Sequence, residues 1–279
     1  MKKIFYTAKF EYLKWIFDEK QIVTIVGIVF MHVMIIQPFL NRSQEMQTPV
    51  NIVEVFLAVA NSKMFLLILP VLFLVIISDF PRIDSDALFF IMRSGRINWL
   101  IGQMFFLIKA VMSYLGIIIA YTLLTGASHG YIGNGWSLTV TNYQDFYGAE
   151  AVCFIPVELY WQMPPYEAFL KSILLIFGYF MLTGMGLLLF SIYDLKKIGF
   201  AIVTAILAIG TAAAAAGFSV MWLFPTAHAI LEKHFDTIKR TQWPDIVYSL
   251  LYDFLLVFML SVIATKKMKH KKIISIEEN

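Results

Sequence analysis

The sequence predicts an all-α integral membrane protein with six transmembrane helices and both termini in the cytoplasm. Hydrophobic residues make up 59% of the 279 residues and charged residues only 15%, which lies outside the range of soluble globular chains. Six apolar stretches are long enough to cross about 30 Å of hydrocarbon as helices. They span residues 21–40, 64–80, 99–126, 168–191, 198–218 and 246–265.

The orientation follows from where lysine and arginine fall between the apolar stretches. Outside the apolar stretches, fifteen lysines and arginines lie in one alternating set of segments, namely residues 1–20, 81–98, 192–197 and 266–279. Five lie in the other set, residues 41–63, 127–167 and 219–245. Because connections rich in positive charge stay in the cytoplasm, both termini are predicted to be cytoplasmic. The net charge is only +3 and no arginine-rich surface is evident, so the sequence predicts no nucleic-acid partner.

The two ends of the chain are predicted to lie at the cytoplasmic face. Residues 1–20 place Ile4, Ala8, Tyr12 and Trp15 at near-helical spacing, with lysines largely on other faces. This pattern is typical of an amphipathic helix that lies in the membrane interface and contacts lipid. Residues 21–265 then form the six-span domain, and residues 266–279 form a basic cytoplasmic tail.

Two outer segments connect the spans on the other side. Residues 127–167 contain no lysine or arginine and many turn formers, which predicts an ordered loop or small cap. Residues 219–245 predict a short amphipathic hairpin before the last span. The aromatic residues of the acidic first segment fit either an interfacial belt, the interpretation favoured for Tyr160 and Trp161, or a face for a cationic peptide, and both stay open for the others. These aromatic residues are Tyr131, Trp136, Tyr143, Phe146, Tyr147, Tyr160 and Trp161.

A short capped helix is predicted between the second and third spans, in the stretch SDFPRIDSDALFFIMRSGRINW, residues 78–99. Pro81 ends the preceding span because it lacks an amide donor. Asp84, Ser85 and Asp86 suit the start of a helix, and Arg93 and Gly95 suit its end. The apolar run at 89–92 predicts burial against the headgroup region, the protein's own inner ends or a protein partner.

Small residues predict close helix packing in the fourth and fifth spans. Gly178, Gly184 and Gly186 lie in the fourth, and the stretch GTAAAAAG at 210–217 lies in the fifth. Such surfaces let a neighbouring helix approach closely. Packing within one chain and a seam between two copies are both open at this point.

The layout resembles that of type-2 permease subunits of ABC exporters. The shared features are the interfacial helix, six spans, the short helix after the second span and the hairpin before the sixth. The stretch IMRSGRINWLIGQ is also similar to the Arg-Ser segment that leads into the third span of that family. The resemblance implies a multi-pass protein of the bacterial cytoplasmic membrane, paired with a second copy or a related permease and with separate ATPase subunits.

The resemblance further implies that the short helix is a coupling helix that docks in a groove of the ATPase. Apolar side chains would enter the groove and arginines would meet its acidic rim. The implied docking residues are Arg82, Asp86, Phe89, Phe90, Met92, Arg93 and Arg96. The chain has no GxxxxGK[ST] phosphate loop, so ATP and Mg²⁺ are expected on the partner ATPase and no enzymatic activity on this chain.

The sequence contains few candidate residues for metal binding or for a charged translocation path. The stretch HAILEKH contains His228, Glu232 and His234 but lacks the HExxH spacing of a zinc protease, so no metal site is predicted. Lys109 and Asp253 are charges within the spans, and a pair of them lining a translocation path is a hypothesis. Lys171 lies close enough to the end of its span to reach the interface.

The predicted function is therefore that of the membrane-spanning subunit of an ATP-driven bacterial exporter. Its cargo would be a peptide antibiotic, a bacteriocin, or a lipid-linked or hydrophobic compound, moved by alternating access. Because a fold does not determine a function, two alternatives stay open. These are a gradient-driven carrier and a membrane-embedded enzyme, each acting without an ATPase.

Overall fold

The computed structural model is built from helices that run between two ends of a bundle. It describes residues 2–82, 85–128, 130–142, 145, 148, 153–236 and 244–271. The helices are α1 (Lys2–Ile16), α2 (Ile22–Met31), α3 (Gln37–Glu45), α4 (Glu54–Ala60), α5 (Phe65–Ile76), α6 (Ser85–Ser94), α7 (Arg96–Ala127), α8 (Leu138–Thr141), α9 (Val157–Tyr160), α10 (Pro165–Ile192), α11 (Lys196–Ala216), α12 (Pro225–Ala229) and α13 (Ile246–His270).

Shorter turns complete the path of the chain. A π-helical turn over His32–Ile36 joins α2 to α3. Three 3₁₀ turns cover Glu19–Gln21, Ser219–Leu223 and Leu231–His234. Two strands of two residues each, β1 (Val50–Asn51) and β2 (Gly130–Tyr131), were not predicted, because each pairing is too short to leave a pattern in the sequence.

Among the residues that the structure describes, five helical segments are long and apolar enough to cross a membrane, which confirms the prediction of an α-helical, multi-pass membrane protein. They are Glu19–Glu45, Arg96–Ala127, Pro165–Ile192, Lys196–Ala216 and Ile246–His270. At about 1.5 Å per residue, even the shortest, of 21 residues, exceeds the hydrocarbon thickness of about 30 Å. Five of the six predicted spans therefore correspond to a long helix.

The second predicted span, residues 64–80, forms a shorter helix. It corresponds to α5, whose 12 residues extend over roughly 18 Å. The seven-residue α4 precedes it, and the break begins at Asn61, whose side-chain amide donates to the Leu57 carbonyl over 2.9 Å. The Leu57 carbonyl also accepts from the Asn61 backbone amide over 3.1 Å, so both the backbone and the side chain of Asn61 cap the end of α4. A total of six spans stays a prediction.

The core of the bundle surrounds α10, which contacts α4, α5, α7, α11, α12 and α13. At its centre the rings of Phe73, Tyr114 and Phe180 pack with centroids 5.3 to 5.5 Å apart. Aromatic rings at this spacing prefer tilted and edge-on contacts, as found here. In contrast to the central α10, α13 lies at the surface of the bundle, where most of its apolar side chains are exposed.

We call one end of the bundle the basic end, because it carries α1, α6 and Lys271. Residues 2–16 of the segment predicted to be an interfacial helix form α1, which packs along α7 and buries Thr7, Ala8, Glu11 and Trp15. At the same end α13 continues past residue 265 to His270, so the start of the predicted tail is helical. The rest of that tail, residues 272–279, lies outside the described residues.

We call the other end the sheet end, because β1 and β2 pair there in parallel. Val50 faces Gly130 and Asn51 faces Tyr131. This pairing fastens the chain ahead of α4 to the segment that follows α7. The predicted hairpin at 219–245 begins with α12 and the two 3₁₀ turns on either side of it, and residues 237–243 lie outside the described part.

Candidate functional site

The short helix α6 (Ser85–Ser94) lies at the basic end, within the stretch where the sequence predicts a capped helix. Arg93 lies in its last turn and Gly95 follows it directly. Gly95 has φ +86°, a backbone conformation that strongly favours glycine and allows α7 to begin at the next residue. The helix therefore has a sharp connection on its C-terminal side.

The faces of α6 divide the apolar residues into two groups. Ala87 and Ile91 are four residues apart, share one face and are buried. Phe89 and Met92 point outward, with 57% and 74% of their surface exposed. Phe90, which the sequence placed among the docking residues, packs on Phe10 of α1 with ring centroids 5.1 Å apart. The exposed apolar pair is thus Phe89 and Met92.

The three arginines near α6 also differ in their contacts. Arg82 pairs with Asp18 beyond the end of α1, and Asp79 lies 3.9 Å from the same guanidinium. Arg96 donates to the Lys271 carbonyl over 2.5 Å, which ties the start of α7 to the chain after α13. Arg93 is exposed, with its guanidinium 5.9 Å from the Phe89 ring. The side chain of Asp86 lies outside the described residues.

A cavity of about 460 Å³ lies between α1 and α6. Its lining residues are Lys2, Lys3, Tyr6, Phe90, Arg93 and Ser94. On one side of the cavity, the Lys3 ammonium donates a hydrogen bond to the Arg93 carbonyl over 3.0 Å. Three cations around one cavity give it a positive potential that suits an anionic group.

The hypothetical pair of Lys109 and Asp253 is not formed among the described residues. No ion pair joins them, and neither carboxylate oxygen of Asp253 has a hydrogen-bond partner, although the side chain is 98% buried. The two side chains lie at different depths along the axis of the bundle. Asp253 packs at Gly178 and Leu107 packs at Gly184, six residues along α10. From Gly178 to Gly184, α10 runs toward the basic end, so Leu107 is nearer that end than Asp253. From Leu107 to Lys109, α7 runs two residues back toward the sheet end. The net result is that Lys109 lies roughly 6 Å nearer the basic end than Asp253.

The sheet end contains a buried carboxylate that the sequence reading missed. Glu54 is fully buried and accepts three hydrogen bonds, from the backbone amides of Asn51 and Ser137 and from the Ser137 hydroxyl, over 2.7 to 2.9 Å. Asn51 extends the network by donating its side-chain amide to the carbonyls of Gly133 and Gly135. Burial raises the pKa of Glu54, and its hydrogen bonds with Ser137 and Asn51 oppose that shift.

A second polar cluster at the sheet end joins the predicted hairpin to α13. His228 Nδ1 lies 2.7 Å from the Ser249 hydroxyl, and His234 Nε2 lies 2.8 Å from the same oxygen. All three side chains are fully buried. We call His228, Ser249 and His234 the histidine cluster. Sequence reasoning missed it because Ser249 is distant in sequence and lies in an apolar span.

The two histidines converge because the chain between them is not a continuous helix. The sequence reading placed His228 and Glu232 on one helical face, but α12 ends at Ala229 and the backbone of the next residue, Ile230, is extended. His234 therefore turns back toward His228, whereas the Glu232 carboxylate lies 3.8 Å from Lys63 and 3.6 Å from Lys233. Within the described ranges, no three His, Cys, Asp or Glu side chains come together as metal ligands.

The remaining predicted residues occupy separate places. Lys171 pairs with Glu167 one turn earlier on α10. Trp136 donates its indole N–H to the Met163 carbonyl over 2.8 Å, and Trp161 is exposed. Of the aromatic residues in the first outer segment, Tyr143, Phe146 and Tyr147 lie outside the described residues.

The architecture defines the class of this protein as an α-helical, multi-pass membrane protein. Comparison with models of known protein families, with curated proteins and with solved structures found no match.

Proposed function

We propose that this protein is the membrane-spanning subunit of an ATP-driven bacterial exporter, located in the cytoplasmic membrane with both termini inside the cell. The observation that carries the proposal is the pair Phe89 and Met92, exposed on a short helix beside a cationic cavity. Two outward apolar side chains with an arginine beside them match the centre and rim of a protein-binding site.

The attachment of α6 supports a role in transmitting motion. Phe90 contacts α1, Arg93 accepts a hydrogen bond from α1 through its carbonyl, and Gly95 leads directly into α7. A displacement of α6 would therefore reach α1 and α7 together. In the proposed mechanism, closure of two partner ATPases on ATP and Mg²⁺ pushes α6, and the spans rearrange between inward and outward states.

The cargo class proposed is a peptide antibiotic, a bacteriocin, or a lipid-linked or hydrophobic compound. The exposed apolar surfaces of α2 and α13 would face lipid or a second permease copy in the membrane. The partner set is therefore two ATPase subunits, a second copy of this chain or a related permease, and lipid.

The proposal is tested by co-purification from native membranes. In the double variant Phe89→Asp with Met92→Asp, we expect the recovered ATPase to fall at least about tenfold, because burying carboxylates in an apolar groove is unfavourable. The control is Ile132→Asp, since Ile132 is 81% exposed and lies at the sheet end. ATPase recovery equal in both variants, or no ATPase with the wild-type protein, would overturn the proposal.

The proposed orientation is tested with Cys153, the one cysteine of the sequence, which is exposed. A membrane-impermeant maleimide is expected to label it in intact cells. Burial of the thiol sulfur raises its pKa, so labelling should accelerate between pH 7 and pH 9 as the thiolate forms. In a Cys153→Ser background, Met92→Cys should label only after the cells are opened. The reverse pattern would show the opposite orientation.

A gradient-driven carrier is the second candidate function. The observation that favours it is Asp253, a buried carboxylate without a hydrogen-bond partner within a span. Such a group is typical of ion or proton paths through membranes. A carrier would transport without an ATPase partner and would lose transport in Asp253→Asn while keeping its fold, whereas an exporter of the proposed kind requires the ATPase.

A further inference from the structure

The histidine cluster contains four hydrogen-bond contacts that follow one another. The Trp222 carbonyl lies 2.9 Å from His228 Nε2, and His228 Nδ1 faces the Ser249 hydroxyl. The same hydroxyl faces His234 Nε2, and His234 Nδ1 lies 3.1 Å from the Ile230 carbonyl. Carbonyls at both ends can only accept, so every hydrogen in the chain must come from the rings or the hydroxyl.

Counting hydrogens shows that this chain of contacts is one proton short when both rings are neutral. Each neutral imidazole carries one N–H and the serine carries one O–H, which makes three hydrogens for four contacts. No choice of tautomers changes that number. One contact would therefore place two lone pairs against each other at hydrogen-bond distance in a buried site, which is unfavourable. A single added proton completes all four hydrogen bonds.

The surroundings hold the two rings in this arrangement. The Trp222 ring lies 5.4 Å from each histidine ring, and Tyr252 stacks on His228 with centroids 4.0 Å apart. The aromatic face of Tyr252 favours a cation on the imidazole beside it. Asp253 lies one turn from Ser249 along the same face of α13.

We propose that His228, Ser249 and His234 form a proton-binding site, in which one shared proton fastens the 219–235 segment to α13. The site goes beyond the proposed transport function and does not depend on it. Among the described residues, the titratable and charged groups that surround it come from every neighbouring element. They are Asp245 at the N-cap of α13, Tyr248, Tyr252 and Asp253 on α13, Tyr179 on α10, Glu232 and Lys233 beside His234, and Lys63 ahead of α5.

The site takes one proton and not two. Burial lowers the pKa of His228 and lowers that of His234 to about 4, and interaction with His228 adds to the second shift. Burial therefore opposes charge on either ring, and a proton on one ring further opposes a second proton on the other. The two lysines nearest the cluster point to Glu232, so their charges are partly compensated by that carboxylate.

The shared proton has a definite effect on stability. The unfolded histidines titrate near pH 6.5. Burial lowers the pKa of each ring, whereas the contact that only a fourth hydrogen can complete favours the protonated cluster. In the proposal this second effect is the larger, so the folded cluster holds one proton above about pH 6.5. Stability from the cluster is therefore fully present below about pH 6.5 and is lost as pH rises through the folded pKa. Because one proton is involved, the unfolding equilibrium constant should increase about tenfold for each pH unit within that window.

The first experiment measures unfolding of the purified full-length protein in detergent between pH 5.5 and 9. Ser249→Ala should remove the tenfold slope, because the hydroxyl that links the rings is gone. His228→Asn should also remove the slope but keep the segment fastened, because its amide supplies the fourth hydrogen without a proton. The control is the exposed His270→Gln, which should retain the slope. A slope that persists in either cluster variant would overturn the proposal.

The second experiment is ¹⁵N NMR of histidine-labelled protein, which reports ring protonation directly. We expect the signals of His228 and His234 to move together in one titration step, with a total change of one proton. Independent titrations, or two neutral rings down to pH 5.5, would contradict a shared proton. This measurement decides the question even if Ser249→Ala fails to fold.

Discussion

Replacing Glu54 with alanine is expected to lower the free energy of unfolding by about 3 kcal/mol, roughly 1 kcal/mol for each of three donors left without an acceptor. The carboxylate is fully buried and holds Ser137 against the start of α4. Without it, the backbone amides of Asn51 and Ser137 stay buried and unpaired. The loss should also loosen the pairing of β1 with β2, which Asn51 joins.

Chemical unfolding of the purified protein, followed by circular dichroism, measures this change. Glu19→Ala is the matched control, since Glu19 is exposed and lies at the basic end. Glu54→Gln should fall between the wild type and Glu54→Ala, because one amide oxygen replaces one carboxylate oxygen. Equal stability of the alanine variants at positions 54 and 19 would show that the buried network contributes nothing.

The pH dependence of Glu54 provides an independent check of the same network. Burial raises the folded pKa above the usual value of 4.5, so the folded protein binds more protons in that window. The stability contribution of this group must then decrease as pH rises from 4.5 to the raised pKa. Glu54→Gln has no titrating group and should lose that slope.

Replacing Gly178 with leucine is expected to destabilise the bundle by about 3 kcal/mol, because overpacking a close helix contact forces backbones apart. A Cβ at position 178 would lie 2.5 Å from Asp253 Oδ2 and 3.1 Å from its Cβ. The clash falls between α10 and α13, which pack along much of their length. No rotamer of leucine avoids the contact, since the Cβ itself causes it.

The control for this variant is Gly116→Leu on α7, where a Cβ would meet no atom within 4 Å. A second test uses Asp253→Ala in the Gly178→Ala background. Residues in contact give non-additive effects, so the double variant should be more stable than the sum of the single changes predicts. Strict additivity, or equal losses at positions 116 and 178, would contradict the close contact.

Several features could be predicted from the sequence because they depend on neighbouring residues alone. Membrane helices follow from apolar runs whose length matches the bilayer, and α6 follows from its own start and end signals. The glycines at 178 and 184 were also expected to permit close approach. The structure shows both in contact within the chain, at Asp253 and Leu107, which favours the first of the two sequence alternatives.

Other features required contacts between distant parts of the chain. The sequence could not separate Phe90 from Phe89, because the difference lies in where α1 packs. Similar depth for Lys109 and Asp253 was inferred by counting residues from span ends, but the helices are staggered against α10. Convergence of His228 and His234 depended on a break at Ile230 that no local signal marked.

The sequence by itself determined that this is an α-helical membrane protein, where five of its long helices lie and where α6 begins and ends. Hydrophobic length and helix capping act over a few residues, so they can be read in order along the chain. The tertiary structure alone decided which side chains of α6 stay exposed, that Glu54 fastens the sheet end, and that two histidines share one serine. Those outcomes depend on distances between residues that are far apart in sequence.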